Sequence, residues 1–147
     1  MRISFFGHRD IINNEELKNR LFSTLKENIT EDCELLFGGY GAFDSLAYEC
    51  ASRLDIPYNI KKIFVTPYIS ESYLKNQVEY IKNQYDAVIY PEIENTPYRF
   101  AISARNKWMA EQSDLVICYV NRAYGGAYQV VKNRKIKKKI NLGTFTI

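Results

Sequence analysis

Phe37-Gly38-Gly39-Tyr40-Gly41-Ala42-Phe43-Asp44 is the stretch whose reading decides the fold. The segment before it, Glu34-Leu35-Leu36-Phe37, is short and apolar enough for a buried strand. After it, Phe43, Leu46, Ala47, Cys50, Ala51 and Leu54 recur at helical spacing. The glycines therefore sit on a strand-to-helix turn. Gly38, Gly39 and Gly41 let the backbone turn tightly and let a ligand approach it closely. The free N–H groups of a helix start favour an anion such as phosphate. The pattern GGxG matches neither GxGxxG nor a Walker loop, so a plain glycine turn without a ligand stands beside the phosphate reading.

The same strand-turn-helix grammar recurs on both sides. Arg2 to Phe6 reads as a first strand ending at Gly7-His8-Arg9-Asp10. His8, the single histidine, lies in a turn beside a glycine and an arginine, an unlikely core position. Arg9 offers a planar fork for a phosphate or carboxylate, or a surface ion pair. Asn13 is placed to cap the first helix, with Glu16 completing a capping box and Leu17, Leu21, Leu25 and Ile29 forming its apolar stripe. Lys62 to Val65 reads as a third strand ending at Thr66-Pro67-Tyr68. Leu74, Val78, Ile81 and Tyr85 keep helical spacing, and Asp86 to Tyr90 reads as a fourth strand. A helix over about 100–112 carries Arg105, Asn106 and Trp108. Asp114 to Val120 reads as a fifth strand, meeting a second glycine turn at Tyr124-Gly125-Gly126-Ala127-Tyr128. Ala127, Val130 and Val131 open a last helix, and 139–143 offers a short final strand.

Alternating strands and helices predict an α/β, Rossmann-like three-layer fold with a mostly parallel sheet of five to six strands, in one domain of 147 residues. Ligands in such folds bind beyond the carboxyl ends of the strands, at the switch in strand order. Gly7, His8, Arg9, Gly38, Gly39, Tyr40, Gly41, Asp44, Pro67, Tyr68, Tyr119, Gly125 and Gly126 all fall at that edge. Asp44, in the first turn of its helix, and Glu49 further along are helix-start acids or ligands for ribose hydroxyls.

Composition narrows the function further. Hydrophobic residues make up 46% and charged residues 25%, as expected of a folded core. The chain has no apolar run of membrane-spanning length and no signal-peptide pattern, so the expected compartment is the cytoplasm, with no membrane partner. Cys33, Cys50 and Cys118 form no CxxC or Cys/His cluster, so no metal is expected. The net charge of +3 is uneven. Residues 132–139 hold six basic residues, which leaves 14 of the 20 Lys and Arg against 17 acidic residues elsewhere. A basic stretch on a slightly acidic body reads as a solvated helix end, and nucleic acid is not the expected partner.

These segments together resemble the SLOG superfamily, and within it the YpsA-like proteins. The resemblance lies in Phe6-Gly7-His8-Arg9, the run from Gly38 to Ala47, Val65-Thr66-Pro67-Tyr68, Arg105-Asn106-Lys107-Trp108-Met109, Ser113 to Ile117 and Gly125-Gly126-Ala127-Tyr128, in the family's order over nearly the whole chain. It implies a Rossmann-like fold, a nucleotide-derived small-molecule ligand with no cofactor, and Arg105 and Asn106 as further site residues. It also implies assembly through helical faces, a homodimer or higher homo-oligomer. Phe100 and Trp108 are the candidates for that contact, with the core as an equal alternative for Trp108, and the 12 tyrosines and 8 phenylalanines favour an interface.

Other SLOG domains resemble sensors of cyclic nucleotide-type signals in anti-phage defence. A stand-alone domain could instead sequester such a signal, as a sponge does. The superfamily also contains the Lonely-Guy phosphoribohydrolases, whose PGGxGTxxE motif supplies a catalytic glutamate. Here the proline, threonine and glutamate are absent and Ser45 stands at the acidic position. The resemblance thus favours binding over hydrolysis, with hydrolysis as the alternative.

Overall fold

Ile3, Phe5 and Phe6 make β1 (Arg2–Gly7) apolar on both faces, and both faces are covered. A computed structural model describes residues 1–11 and 14–147, the side chains of 77–82 excepted. β1 is followed by α1 (Glu15–Asn28), β2 (Cys33–Phe37), α2 (Ala42–Ser52), β3 (Ile60–Val65), α3 (Glu71–Gln84) and β4 (Ala87–Ile89). A single 3₁₀ turn (Tyr98–Phe100) then leads into α4 (Ala101–Gln112), β5 (Leu115–Tyr119), α5 (Gly126–Val131) and β6 (Lys139–Asn141).

The six strands form one sheet in the order β4-β3-β2-β1-β5-β6. Every pairing is parallel, with Ile3 opposite Leu35 on one side and Leu115 on the other. The chain builds outward from β1 to β4, then returns to the far side of β1 to place β5 and β6. That reversal puts the topological switch at the β1/β5 boundary.

Right-handed crossovers then separate the helices. On one face, Leu17, Leu21 and Leu25 of α1 and Phe43, Leu46, Ala47 and Cys50 of α2 pack on Ile3, Phe5, Leu35, Phe37 and Ile117. On the other, Met109 and Ala110 of α4 and Val131 of α5 pack on Phe6, Leu36, Val65, Val116 and Cys118. The sheet is thus the middle of three layers, as the strand-helix alternation predicts. No helix among the described residues is long and apolar enough to cross a membrane.

Some local expectations change. Asn13 lies outside the described residues; Asn14 is the N-cap of α1, its side chain accepting from the Leu17 N–H at 2.7 Å. Val78 and Ile81 likewise fall among the side chains outside the description. α5 ends at Val131, so most of the basic stretch 132–139 lies on the turn toward β6, where Lys137 pairs with Asp114 at 3.7 Å. All three cysteines are buried. Burial pushes the Cys33 thiol up to about 11 and the Cys118 thiol up to about 12, which suits small hydrophobes and not nucleophiles.

Gly7 shows how tightly the edge of the sheet is built. A Cβ there would collide with the Phe43 side chain of α2. Overpacking of a filled site costs about 1–3 kcal/mol, so Gly7→Ala is expected to lower stability in urea denaturation by that amount. Wild-type stability in the variant would show that α2 shifts freely against β1.

Candidate functional site

Four strand ends converge on a cleft of about 890 Å³. β1 delivers Gly7, His8 and Arg9; β2 delivers Gly38, Gly39, Tyr40 and Gly41, with Asp44 from the first turn of α2. The end of β3 delivers Pro67 and Tyr68, α4 contributes Arg105 and Asn106, and the turn beyond β5 contributes Gly125 and Gly126. Of the site residues expected from sequence, Tyr119 is the one that does not line this cleft. Its ring turns to Phe43, with centroids 6.3 Å apart. Glu49 is also elsewhere, held by Lys18 at 2.7 Å and Arg53 at 3.0 Å.

The glycine turn is stapled from within. The Asp44 carboxylate accepts from the Gly38 N–H at 3.3 Å and from the Gly39 N–H at 3.1 Å. Those two donors, and the Asp44 oxygens that accept from them, are therefore engaged within the turn. Burial pushes the Asp44 carboxyl up to about 7, against the opposing pull of the two N–H groups and of Arg105. Gly39 and Gly41 have φ of 74° and 99°, the region where a glycine is needed.

Arg105 closes the turn from the opposite side. It is 4% exposed. Its guanidinium donates to the Gly38 carbonyl at 3.1 Å and the Val65 carbonyl at 2.8 Å, and its Nε donates to Asn106 Oδ1 at 2.8 Å. Arg105 thus lines the cleft and at the same time ties the ends of β2 and β3 together.

His8 is buried, contrary to its reading as a non-core residue. Its Nε2 accepts from the Asn121 N–H at 2.9 Å, so the ring proton sits on Nδ1. Burial, followed by the Arg122 charge, holds its pKa below the ordinary value. A neutral Nδ1–H donor therefore borders the second glycine turn, where a Cβ on Gly125 would lie 3.8 Å from Nδ1.

Aromatic rings surround these donors. The Arg9 guanidinium lies over the Tyr40 ring at 4.7 Å, and the Arg122 guanidinium lies over Tyr124 at 4.8 Å. Tyr68 stacks on Tyr98 at 4.7 Å, with Tyr73 edge-on to it at 5.2 Å. Sequence reasoning missed Arg122 and Tyr73, which line the cleft, and Tyr98 and Tyr124, which stack on the lining residues Tyr68 and Arg122. The one available signal was the second Tyr-Gly pair, whose likeness to Tyr40-Gly41 marks Tyr124 and the arginine two residues before it. Among the described residues no cluster of His, Cys, Asp and Glu is arranged to hold a metal ion.

No family model matches the chain, and no curated protein matches it in sequence. A solved structure does share its fold: DNA processing protein A from Helicobacter pylori, a structure describing that protein's single-stranded DNA binding mode. The match has a TM-score of 0.61 at 19% identity, covering 96% of this chain and 64% of the other. It shows the Rossmann-like fold; the chain spans less than two thirds of that protein. It also corrects the expectation that set nucleic acid aside. A domain of this fold belongs to a protein that binds a single strand. Stacking rings and a few cations serve such binding without a strongly basic body, so the uneven charge does not exclude nucleic acid.

Proposed function

We propose that the cleft binds a nucleotide-derived ligand and releases it unchanged, as a sensor or sequestering protein of the YpsA-like SLOG kind would. The observation that carries this reading is the convergence of two glycine turns, a neutral histidine donor and arginine-backed tyrosines at the switch point of one parallel sheet. Phosphate is suited to the arginines and the His8 Nδ1–H. A base is suited to the open tyrosine rings. The structural neighbour supports extending the ligand class to nucleotides within a single strand.

Three features speak for binding without turnover. Cleavage of an N-glycosidic bond needs a positioned carboxylate or its equivalent. Asp44, the acid of the cleft, is engaged by two backbone donors, and Glu49 lies outside. Ser45, at the position of the Lonely-Guy glutamate, donates its hydroxyl to the Gly41 carbonyl at 3.2 Å.

A ligand that binds only the folded state raises stability by mass action, by about 2.7 kcal/mol at a hundredfold excess over Kd. For a chain of this size that is a melting-temperature rise of about 5–10 °C. The expected result is such a rise with members of a panel of mono-, di- and oligonucleotides, followed by recovery of the intact ligand on chromatography after denaturation. No shift with any member would refute the binding reading. Free base accumulating over many turnovers would refute the non-catalytic one.

A further inference from the structure

One device recurs on both sides of β1, with Tyr40 lining the cleft and Tyr124 beside its lining residues Arg122 and Gly125. β2 and β5 flank β1 in the sheet. Each leads to a helix capped by a glycine in nearly the same backbone conformation: φ 99°, ψ 163° at Gly41 and φ 96°, ψ 168° at Gly125. L side chains rarely adopt that φ, so the match is a specific one. Each glycine is preceded by a tyrosine, and Tyr40 and Tyr124 are 67% and 65% exposed. Each tyrosine ring lies under a guanidinium, at 4.7 Å for Arg9 and 4.8 Å for Arg122. The surrounding residues differ, Gly39 and Ala42 against Ala123 and Gly126, so the likeness is one of geometry and chemistry.

A tyrosine backed by a cation and otherwise open is a stacking platform for a nucleobase of any identity. One base occupies one platform. The strands that carry the two platforms stand two strand spacings apart, about 10 Å. Stacked neighbours in a strand rise only about 3.4 Å, so bases on tyrosines separated on the scale of the strands they follow would be splayed apart.

An unmet donor lies on the same side of the cleft. The Arg122 Nε is, among the described residues, the buried side-chain nitrogen or oxygen without a hydrogen-bond partner. Its terminal nitrogens are fixed by Asp10 at 3.1 and 3.3 Å. Leaving a buried donor unpaired is costly, and a phosphate oxygen would satisfy it once the side chain shifts to open Nε to the cleft.

The geometry points to a ligand of two nucleobases joined through phosphate, a dinucleotide unit with one base on Tyr40, the other on Tyr124 and the linkage over the end of β1. This rests on the nucleotide reading above and specifies its ligand. The unit can be a free dinucleotide or a segment of a single strand.

The test compares adenosine monophosphate, a 5′-phosphorylated adenosine dinucleotide and a single-stranded decamer by calorimetry, on the wild type and on Tyr40→Ala, Tyr124→Ala and the corresponding Tyr→Phe variants. Melting temperatures confirm that these exposed positions leave the fold intact. The dinucleotide is expected to bind at least about tenfold tighter than the monophosphate. Each alanine variant is expected to weaken the dinucleotide about five- to a hundredfold, with the phenylalanine variants near wild type. Equal affinity for monophosphate and dinucleotide, with a single tyrosine mattering, would overturn the two-platform inference and leave nucleotide binding standing. Absence of binding by all three probes would overturn both. Affinity for the decamer equal to the dinucleotide assigns a free dinucleotide, and greater affinity assigns a strand; in either case both tyrosines must contribute.

Discussion

Arg105→Ala is expected to cost about 3–5 kcal/mol of stability, a large part of what a domain of this size possesses. Removing the guanidinium leaves the Val65 carbonyl without its 2.8 Å donor and the Gly38 carbonyl without its 3.1 Å donor, in a place the residue itself fills to 4% exposure. Charge-assisted hydrogen bonds are worth about 1.5–3 kcal/mol each, and the abandoned acceptors stay buried. Asp44 also loses the cation whose field lowers its pKa, so its burial becomes more costly. Arg105→Lys keeps a charge but not the planar fork and is expected to fall between wild type and Ala. Urea denaturation reads both. A loss below about 1 kcal/mol for Arg105→Ala would show that the ends of β2 and β3 hold together without it.

The second large effect is a dependence on pH. Asp44 has a model-peptide pKa of 3.8 and is pushed up to about 7 in the fold. Its native pKa is raised, so the folded state binds more protons than the unfolded one between those values. The stability associated with the protonated group is fully present below about pH 4 and is lost as pH rises through about 7. About three pH units at roughly 1.4 kcal/mol each give a fall of roughly 4 kcal/mol across that window.

Asp10, Glu49 and Asp114 work in the opposite sense, their pKa values being lowered by Arg122, by Lys18 and by the Arg2 backbone N–H respectively. The raw stability curve therefore mixes both signs. Asp44→Asn isolates the contribution of this carboxyl: the stability of the variant relative to wild type is expected to improve by a few kcal/mol between about pH 4.5 and pH 8. It keeps one acceptor for the glycine N–H groups and loses the other, which displaces the whole curve but not its slope. Parallel curves for the two proteins would contradict the raised pKa.

The parallel sheet and its edge were legible because they have local signatures. Apolar runs such as Leu115 to Cys118 bounded by glycine turns specify buried strands, and the order of strands and helices leaves few topologies. The cleft followed, since strand ends of a parallel sheet share one edge. What sequence left open were roles set by packing. Arg105 looks like any helix arginine until the ends of β2 and β3 are placed beneath it. Asp44 reads as an ordinary helix-start acid, yet only the curl of Gly38 and Gly39 back over it decides that its oxygens face inward. His8 reads as exposed because its turn is polar; the Asn121 N–H that donates to it lies 113 residues away in the chain. The Arg9–Tyr40 and Arg122–Tyr124 pairs are loop geometry, for which spacing gives no rule.

Amide chemical-shift mapping tests the central claim most directly, because it reports binding and its place together. Isotope-labelled protein titrated with adenosine monophosphate and with the phosphorylated adenosine dinucleotide is expected to show its largest shifts at Gly7, His8 and Arg9, at Tyr40 and Gly41, and at Gly125 and Gly126. Spectra unchanged at millimolar ligand, or shifts concentrated on the faces of α1 or α4 away from the strand ends, would contradict a nucleotide site at this edge.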